Sequence, residues 1–155
     1  MELKTKVEAV EGEQTIVIKR EFDLPVGLLF RAHADPAIVA QWMGTNVVRL
    51  DGKKYGGWQF ETKNGEGQKV FGANGVFHDF EEPKTIVRTF EMEGGLFPPQ
   101  LEFFDFEETG EGKSLLTMTI VFKSTHFRDE MLKLPFAQGI SMAHDRLQAV
   151  AGGEG

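Results

Sequence analysis

The C-terminal stretch, residues 124–150, most constrains what this chain can fold into, because it is the only long segment with helical periodicity. Apolar residues recur at helical spacing on both sides of Pro135: Phe127, Met131 and Leu134 before it, and Ile140, Ala143, Leu147 and Val150 after it. Apolar stripes of this kind lie on a hydrophobic core. Proline has no backbone N–H to donate, so we expect a short helix, a break and then a long helix.

The rest of the chain has the patterns of short strands and turns, apart from two short helices near its start. A β-branched segment at 15–22 predicts a first strand, and Asp23 and Asp35 are the expected N-caps of helices at 25–32 and 36–43. Segments between 46 and 123 predict about six antiparallel strands, one of them broken near Gly75. Because the apolar face of a sheet must be covered, the predicted fold class is α+β, with a curved sheet of about 6–7 strands wrapped around the C-terminal helix.

Length and aromatic content point to one domain with a dry interior. At 155 residues we expect a single domain over 1–155, with a loose start or an edge strand at 1–13 and a frayed tail at 151–155. The chain contains 14 phenylalanines and one tyrosine. Since phenylalanine has no polar group, many of these rings are expected to line a core or an apolar cavity.

The charge and the missing residue types exclude several kinds of function. A net charge of −7 argues against nucleic acid and anionic membranes as partners, because both bind basic surfaces. The chain has no cysteine, which excludes thiolate catalysis and thiolate metal sites. The four histidines, His33, His78, His126 and His144, lack metal-ligand spacing, so neither a metal nor a cofactor is expected. No signal peptide or long apolar run is present, which predicts a soluble, cytoplasmic protein.

Five segments, taken in order, resemble one known family. They lie at 20–44, 56–58, 75–83, 128–139 and 145–147, and the first carries Phe22, Pro25, Asp35, Pro36, Trp42 and Gly44 at positions typical of that family. Over 15–150 the chain is similar to the activator-of-heat-shock-protein-90-ATPase homologue (AHSA-type) family of the SRPBCC, or START/Bet-v-like, superfamily. The resemblance implies the helix-grip fold, which hosts lipid carriers, polyketide cyclases and co-chaperones.

A sheet wrapped around a helix leaves a volume that is a natural ligand cavity. We therefore expect a small hydrophobic or aromatic molecule to bind between the C-terminal helix and the sheet. The predicted lining consists of residues from alternating strand positions and from the helices: Trp42, Trp58, Phe60, Phe77, Phe90, Phe103, Met118, Ile120, Met131, Phe136, Ile140 and His144. A few polar groups would orient the ligand, and Gln59, Arg88, Gln138 and His144 are the candidates.

Two other functions stay open at this point. The resemblance implies a chaperone co-factor acting in a stress response, with a heat-shock-protein-90 chaperone as partner. The same cavity also fits an enzyme of the cyclase or hydratase kind, which would use His144 or a cavity carboxylate, with His144 as a candidate general base. An ordinary hydrogen-bonded helix histidine is the alternative reading of His144. The enzyme hypothesis requires a titratable group aimed into the cavity.

Apolar residues beyond one core suggest additional contacts. The segment 101–106 is apolar on both faces, because Leu101 and Phe103 alternate with Phe104 and Phe106. Either a cavity mouth or a homodimer contact would account for this, and we favour a homodimer contact for Phe104 and Phe106. The loop that contains Leu96 and Phe97 is predicted to form the rim of the cavity.

Overall fold

The computed structural model describes residues 3–153, which form one eight-stranded antiparallel sheet and four helices. The strands are β1 (Lys6–Glu8), β2 (Thr15–Phe22), β3 (Asn46–Leu50), β4 (Gly57–Lys63), β5 (Lys69–Glu81), β6 (Thr85–Met92), β7 (Gln100–Gly110) and β8 (Lys113–Val121). Their order across the sheet is β1-β2-β8-β7-β6-β5-β4-β3. All connections from β3 to β8 join neighbouring strands, as in a meander, and β2 then pairs with β8.

The helices occupy the two places that the sequence predicts. Helices α1 (Val26–Ala34) and α2 (Pro36–Met43) lie between β2 and β3, while α3 (Thr125–Leu132) and α4 (Phe136–Ala151) follow β8. The break between α3 and α4 falls at Pro135, which is the N-cap of α4. Helix α4 lies against α1 and α2. Arg146 of α4 donates from Nε to the carbonyl oxygen of Trp42 (2.9 Å), which joins α4 to the end of α2.

Local signals set the ends of the short helices, with one exception. The side chain of Asp35 accepts from the backbone N–H of Ala37 (2.9 Å) and caps α2, as predicted. Gly44 ends α2 with a φ of 62°, a conformation that favours glycine. The predicted N-cap Asp23 is wrong: α1 begins after Pro25, whose carbonyl oxygen accepts from the N–H groups of Leu28 and Leu29. Proline at the N-cap leaves no side chain to cap the helix.

One face of the sheet is covered by the helices and carries the core. Along β2 and β8 alternate residues are fully buried, which gives the period of two expected for a strand with one covered face. The buried side chains of α1 and α2, Leu29, Phe30, Ala32, Val39 and Trp42, belong to the same core. The inner face of the sheet also carries charged residues, Arg20, Arg88 and Glu102, which pair with other groups.

The predicted class and architecture are confirmed, with two differences in the strands. The sheet has eight strands, one more than expected, because residues 6–8 pair with β2 as an edge strand, which was the alternative to a loose start. Strand β5 runs unbroken through Asn74 and Gly75, although its pairing with β6 is irregular beyond them. At the C terminus α4 continues to Ala151, whereas residues 154 and 155 of the predicted tail, like residues 1 and 2, lie outside the described residues.

Candidate functional site

A cavity of about 110 Å³ lies between the inner face of the sheet and the helices α1, α2 and α4. Its walls are mostly apolar and are formed by Val39, Trp42, Met43, Phe60, Phe104, Met118, Ile140 and Ala143. Three polar side chains complete the lining: His33, Arg88 and His144. A water molecule takes up about 30 Å³ of liquid, and an apolar cavity of roughly 150 Å³ holds benzene. At about 110 Å³ the cavity has the volume of roughly three to four waters, somewhat less than that benzene-binding example.

His33 enters the cavity wall from the last turns of α1. Its Nδ1 bonds the carbonyl oxygen of Leu29 (2.9 Å), one helical turn earlier, so Nδ1 carries the proton and donates. The ring meets Trp42 and Phe106 edge-on, with centroids 5.4 and 5.3 Å away. The pKa of His33 is lowered to about 4, mainly by burial among these rings; the bond to Leu29 opposes this effect and the Arg88 guanidinium adds to it. His33 is neutral at pH 7.

His144 reaches the cavity from α4, on the side facing β2. Its Nδ1 lies 3.0 Å from the hydroxyl of Thr5, and its ring meets Phe22 edge-on at 5.6 Å. Desolvation lowers the pKa of His144 to about 3, and the nearby His33 and Arg20 add to the effect, against the attraction of Asp145. His144 is therefore also neutral at pH 7.

A chain of polar contacts fixes the orientation of His144. Arg20, buried on β2, donates from Nη1 to Asp145 Oδ1 (2.7 Å) and to Thr5 Oγ1 (3.4 Å). Arginine can only donate, so the hydroxyl oxygen of Thr5 accepts from Arg20. Among the described residues His144 Nδ1 is the one acceptor that can take the hydroxyl hydrogen, so we assign the Thr5 O–H as the donor to Nδ1. This assigns the proton of the His144 ring to Nε2. The two cavity histidines thus hold opposite tautomers.

Arg88 projects from β6 toward the helices and is held by its strand neighbour. Its Nε donates to Glu102 Oε1 (2.8 Å), and Arg88 and Glu102 are direct cross-strand partners. Gln100 donates to the second oxygen of Glu102 (2.9 Å). The guanidinium lies 4.3 Å from the ring centroid of Trp58 and 4.9 Å from that of Phe104, a stacking contact that arginine makes with aromatic faces.

Five of the side chains predicted to line a cavity do so together: Trp42, Phe60, Met118, Ile140 and His144. The others lie elsewhere in or beside the core. Trp58 and Phe90 do not line the cavity, but both rings contact Arg88, which does. Phe77 packs edge-on against Phe80 at 5.2 Å. Ile120 and Met131 are buried away from the cavity, and Phe136 is half-buried at the start of α4.

The predicted orientation of β7 is wrong. This overturns the dimer contact predicted for Phe104 and Phe106 and the cavity position predicted for Phe103. Phe104 and Phe106 are buried on the inner face, opposite Met118 and Leu116 of β8, so they cannot form a dimer contact. Phe103 points to the other face and does not line the cavity. Because both faces of this strand carry apolar residues, the alternation in the sequence did not indicate which face is buried. The buried charge of Glu102 added to the error, because a glutamate suggests a solvated face.

The polar candidates and the predicted rim are also only partly in place. Arg88 and His144 line the cavity, whereas Gln138 is exposed and Gln59 donates to Glu93 Oε2 (3.0 Å). Sequence reasoning missed His33, although it follows the buried Leu29 by one helical turn and so shares its face of α1. In the loop predicted as the rim, Leu96 is 72% exposed and Phe97 packs against Phe127 of α3, away from the cavity.

Among residues 3–153 no three histidine, aspartate or glutamate side chains come together as metal ligands would. In the same part of the chain no helix has the length and apolarity needed to cross a membrane.

Comparisons with known proteins agree with this architecture. Among solved structures, a protein from Rhodobacter sphaeroides is 18% identical, with a TM-score of 0.85 over 97% of this chain and 99% of that chain. Protein Ms6760 from Mycobacterium smegmatis is 20% identical, with a TM-score of 0.79 over 94% and 96% of the two chains. CalU16 from Micromonospora echinospora is 18% identical, with a TM-score of 0.61 over 96% of each chain. These similarities show the fold.

No curated protein matches the chain. A family profile, described as "Activator of Hsp90 ATPase homolog 1-like protein", matches residues 23–152, which include α1 to α4 and all strands from β3 to β8. The chain therefore belongs to the Hsp90 ATPase activator homologue 1-like family, within the SRPBCC superfamily of helix-grip proteins.

Proposed function

We propose that this protein binds a small, largely apolar molecule of single-ring size in the cavity between α4 and the sheet. The observation that carries the proposal is the cavity itself, about 110 Å³ lined by eight apolar and three polar side chains. Closely packed cores contain few voids larger than a water molecule. A volume of several waters, at the place where the helix-grip fold separates helix from sheet, supports a ligand site.

The size and lining of the cavity also set the expected affinity. A single-ring molecule that buries ~150 Å² of apolar surface gains about 4 kcal/mol, before the cost of association and with little help from long-range charge. A dissociation constant of about 1 mM or weaker is the expectation for a simple aromatic probe. A physiological ligand that also uses the three polar groups would bind more tightly.

Methionine methyl NMR provides a direct test, because the six methionines are distributed around the molecule. Met43 and Met118 line the cavity, while Met142 lies on the outer face of α4 and is 53% exposed. Titration with toluene should shift the methyl signals of Met43 and Met118 and leave that of Met142 unchanged. No shift at Met43 and Met118 up to the solubility limit of toluene would overturn the proposal.

A matched pair of variants on α4 shows whether the probe occupies this cavity. Ala143 lines it, whereas Ala137 lies on the exposed side of the same helix. Ala143→Leu adds three carbon atoms within the cavity and should abolish the toluene-induced shifts, while Ala137→Leu should retain them. Equal responses in the two variants would place the toluene site elsewhere. Native mass spectrometry of protein purified from its own host would reveal a co-purifying molecule as added mass.

The enzyme alternative requires a titratable group in the cavity, and His33 and His144 are such groups. Their low pKa values nevertheless argue against this alternative. A general base works best when its pKa is near the operating pH. Burial lowers the pKa of His33 to about 4 and that of His144 to about 3, so both are weak bases at pH 7. These values favour neutral hydrogen-bonding groups over proton-transfer catalysts. The chaperone co-factor remains an alternative, and an unchanged ATPase rate of a heat-shock-protein-90 chaperone in the presence of this protein would argue against it.

A further inference from the structure

The polar atoms of the cavity specify the chemistry of the ligand. His33 and His144 each have one ring nitrogen, Nδ1, engaged by the protein. Within residues 3–153 neither Nε2 has a hydrogen-bond partner. In that part of the chain one side-chain atom is both fully enclosed and unpaired, and it is Arg20 Nε. Both rings line the cavity, so a ligand bound there is the partner open to each Nε2.

The two Nε2 atoms have opposite hydrogen-bonding character. On His33 the proton sits on Nδ1, which donates to the carbonyl oxygen of Leu29, so Nε2 is an acceptor. On His144 the hydroxyl of Thr5, which accepts from Arg20, donates to Nδ1, so Nε2–H is a donor. The neutral state of both rings at pH 7 is consistent with this arrangement.

Arg88 adds donors without adding net charge. Within the described residues its one hydrogen bond runs from Nε to Glu102, which leaves both Nη groups available on the cavity wall. The carboxylate of Glu102 balances the guanidinium at 2.8 Å. The cavity thus offers one acceptor and several donors in an uncharged setting.

From this pattern we infer that the ligand is a neutral single-ring molecule with a hydroxyl group, of the phenol or cyclic alcohol class. A hydroxyl can donate to His33 Nε2 while it accepts from His144 Nε2–H or Arg88 Nη. A carbonyl or an ether leaves His33 without a donor, and a carboxylate does the same while bringing a negative charge toward Glu102. The inference rests on the proposed function, because it concerns the same cavity.

Four probes of similar size separate the classes in the wild-type protein, with Met43 and Met118 as reporters. Phenol should bind about tenfold more tightly than toluene or anisole, because a buried hydroxyl that makes two hydrogen bonds is favoured by about 1.4 kcal/mol over a group that leaves the partners unpaired. Benzoate should bind more weakly than phenol. Equal affinities for phenol, anisole and toluene would overturn the inference and leave the proposed function intact, whereas no binding of any probe would overturn both. Tightest binding of benzoate would indicate an anion site and also overturn the inference.

Two variants test the roles of the histidines. In His33→Leu the preference of phenol over toluene should fall to about that of anisole over toluene, because the acceptor is gone. In Thr5→Val the preference should fall as well, because His144 loses the group that fixes its tautomer. His78→Gln, on the exposed surface, should leave the preference unchanged. A phenol preference that survives both His33→Leu and Thr5→Val would overturn the assignment, and Thr5→Val decides the matter if His33→Leu does not fold.

Discussion

Single side chains decide the polarity of this cavity, and the pair of Arg88 and Glu102 shows why. Their side chains are 14% and 5% exposed, so both charges are held where water is scarce. Removing charges from water costs several kcal/mol per ion, and the attraction between them offsets that cost only while both are present. Gln100 bonds the remaining oxygen of Glu102, and the rings of Trp58 and Phe104 cover the guanidinium. Each charge therefore depends on the other.

This dependence predicts a strongly non-additive double-mutant cycle. Arg88→Met leaves Glu102 buried without its partner and should reduce the free energy of unfolding by about 3–5 kcal/mol, and Glu102→Leu should have a similar effect. The double variant should be clearly more stable than the sum of the two losses implies. Urea denaturation of the four proteins measures the cycle, and additive losses would contradict it. The exposed pair of Glu130 and Lys133 serves as a control, since its removal should change stability little.

The residue-level predictions succeeded where periodicity carries information and failed where partners decide. Phe60 and Met118 follow strand alternation and Ile140 follows the helical stripe, so their sequence positions were enough. Phe103 and Phe104 could not be assigned in the same way, because neighbours on both faces are apolar. Only the register against β8, which places Phe104 opposite Met118, resolves them. A buried glutamate such as Glu102 becomes predictable only with knowledge that Arg88 lies across from it.

At the scale of the elements, two glycines illustrate how context reverses the effect of one substitution. Gly75 lies on β5 opposite Trp58, where an added Cβ would be 1.9 Å from the carbonyl oxygen of Thr89 and 2.7 Å from Trp58 Nε1. Gly139 lies in the second turn of α4, where an added Cβ would meet nothing within 4 Å. The close approach of two backbones requires a glycine at position 75, whereas no neighbouring atom requires one at position 139.

The two alanine variants should therefore change stability in opposite directions. Gly75→Ala forces the backbones of β5 and β6 apart and should reduce the free energy of unfolding by about 3 kcal/mol. Gly139→Ala removes a flexible residue from a helix interior and should increase it by about 0.5–1 kcal/mol. Thermal or urea denaturation of both variants checks the prediction. A Gly75→Ala protein as stable as wild type would contradict the contact, and a destabilised Gly139→Ala protein would contradict the open space around α4.

Elements were the most predictable level, because their signals are local. Pro135 marks the break between α3 and α4, and Asp35 with Gly44 marks the two ends of α2. The errors arose where tertiary contacts outweigh local signals. The weakly patterned residues 6–8 become a strand because β2 offers them an edge, and β5 continues through Gly75 because β4 pairs with it there.

The size of the cavity belongs to the whole molecule, which is why sequence reasoning predicted a cavity without its dimensions. The volume is what remains after all side chains of the core are placed, and a few rings change it greatly. Much of the unusual phenylalanine content fills the core: Phe22, Phe30, Phe77 and Phe106 are buried outside the lining. The space left over is accordingly small, at about 110 Å³.

Global stability should depend on pH through the two cavity histidines. In the unfolded chain a histidine takes up a proton near pH 6.5, whereas burial lowers the pKa of His33 to about 4 and that of His144 to about 3 in the fold. The groups around them are cationic or paired: Arg88 faces His33, and Arg20 with Asp145 faces His144. Below pH 6.5 the unfolded state therefore binds more protons than the folded state, and stability must fall as pH falls.

The loss should be largest between about pH 6.5 and pH 4, at roughly 1.4 kcal/mol per pH unit for each histidine. Carboxylates with lowered pKa, such as Glu93, add their own losses at lower pH, so the interval from pH 7.5 to 5 isolates the histidines. Over that interval the free energy of unfolding from urea titrations should drop by about 4 kcal/mol, a large part of a typical domain's stability. His144→Leu should reduce the drop by about half, while His78→Gln, an exposed control, should show the full drop. A stability that stays constant from pH 7.5 to 5 would mean that the two rings are not held neutral in the fold, and the tautomers assigned to the cavity wall would lose their basis.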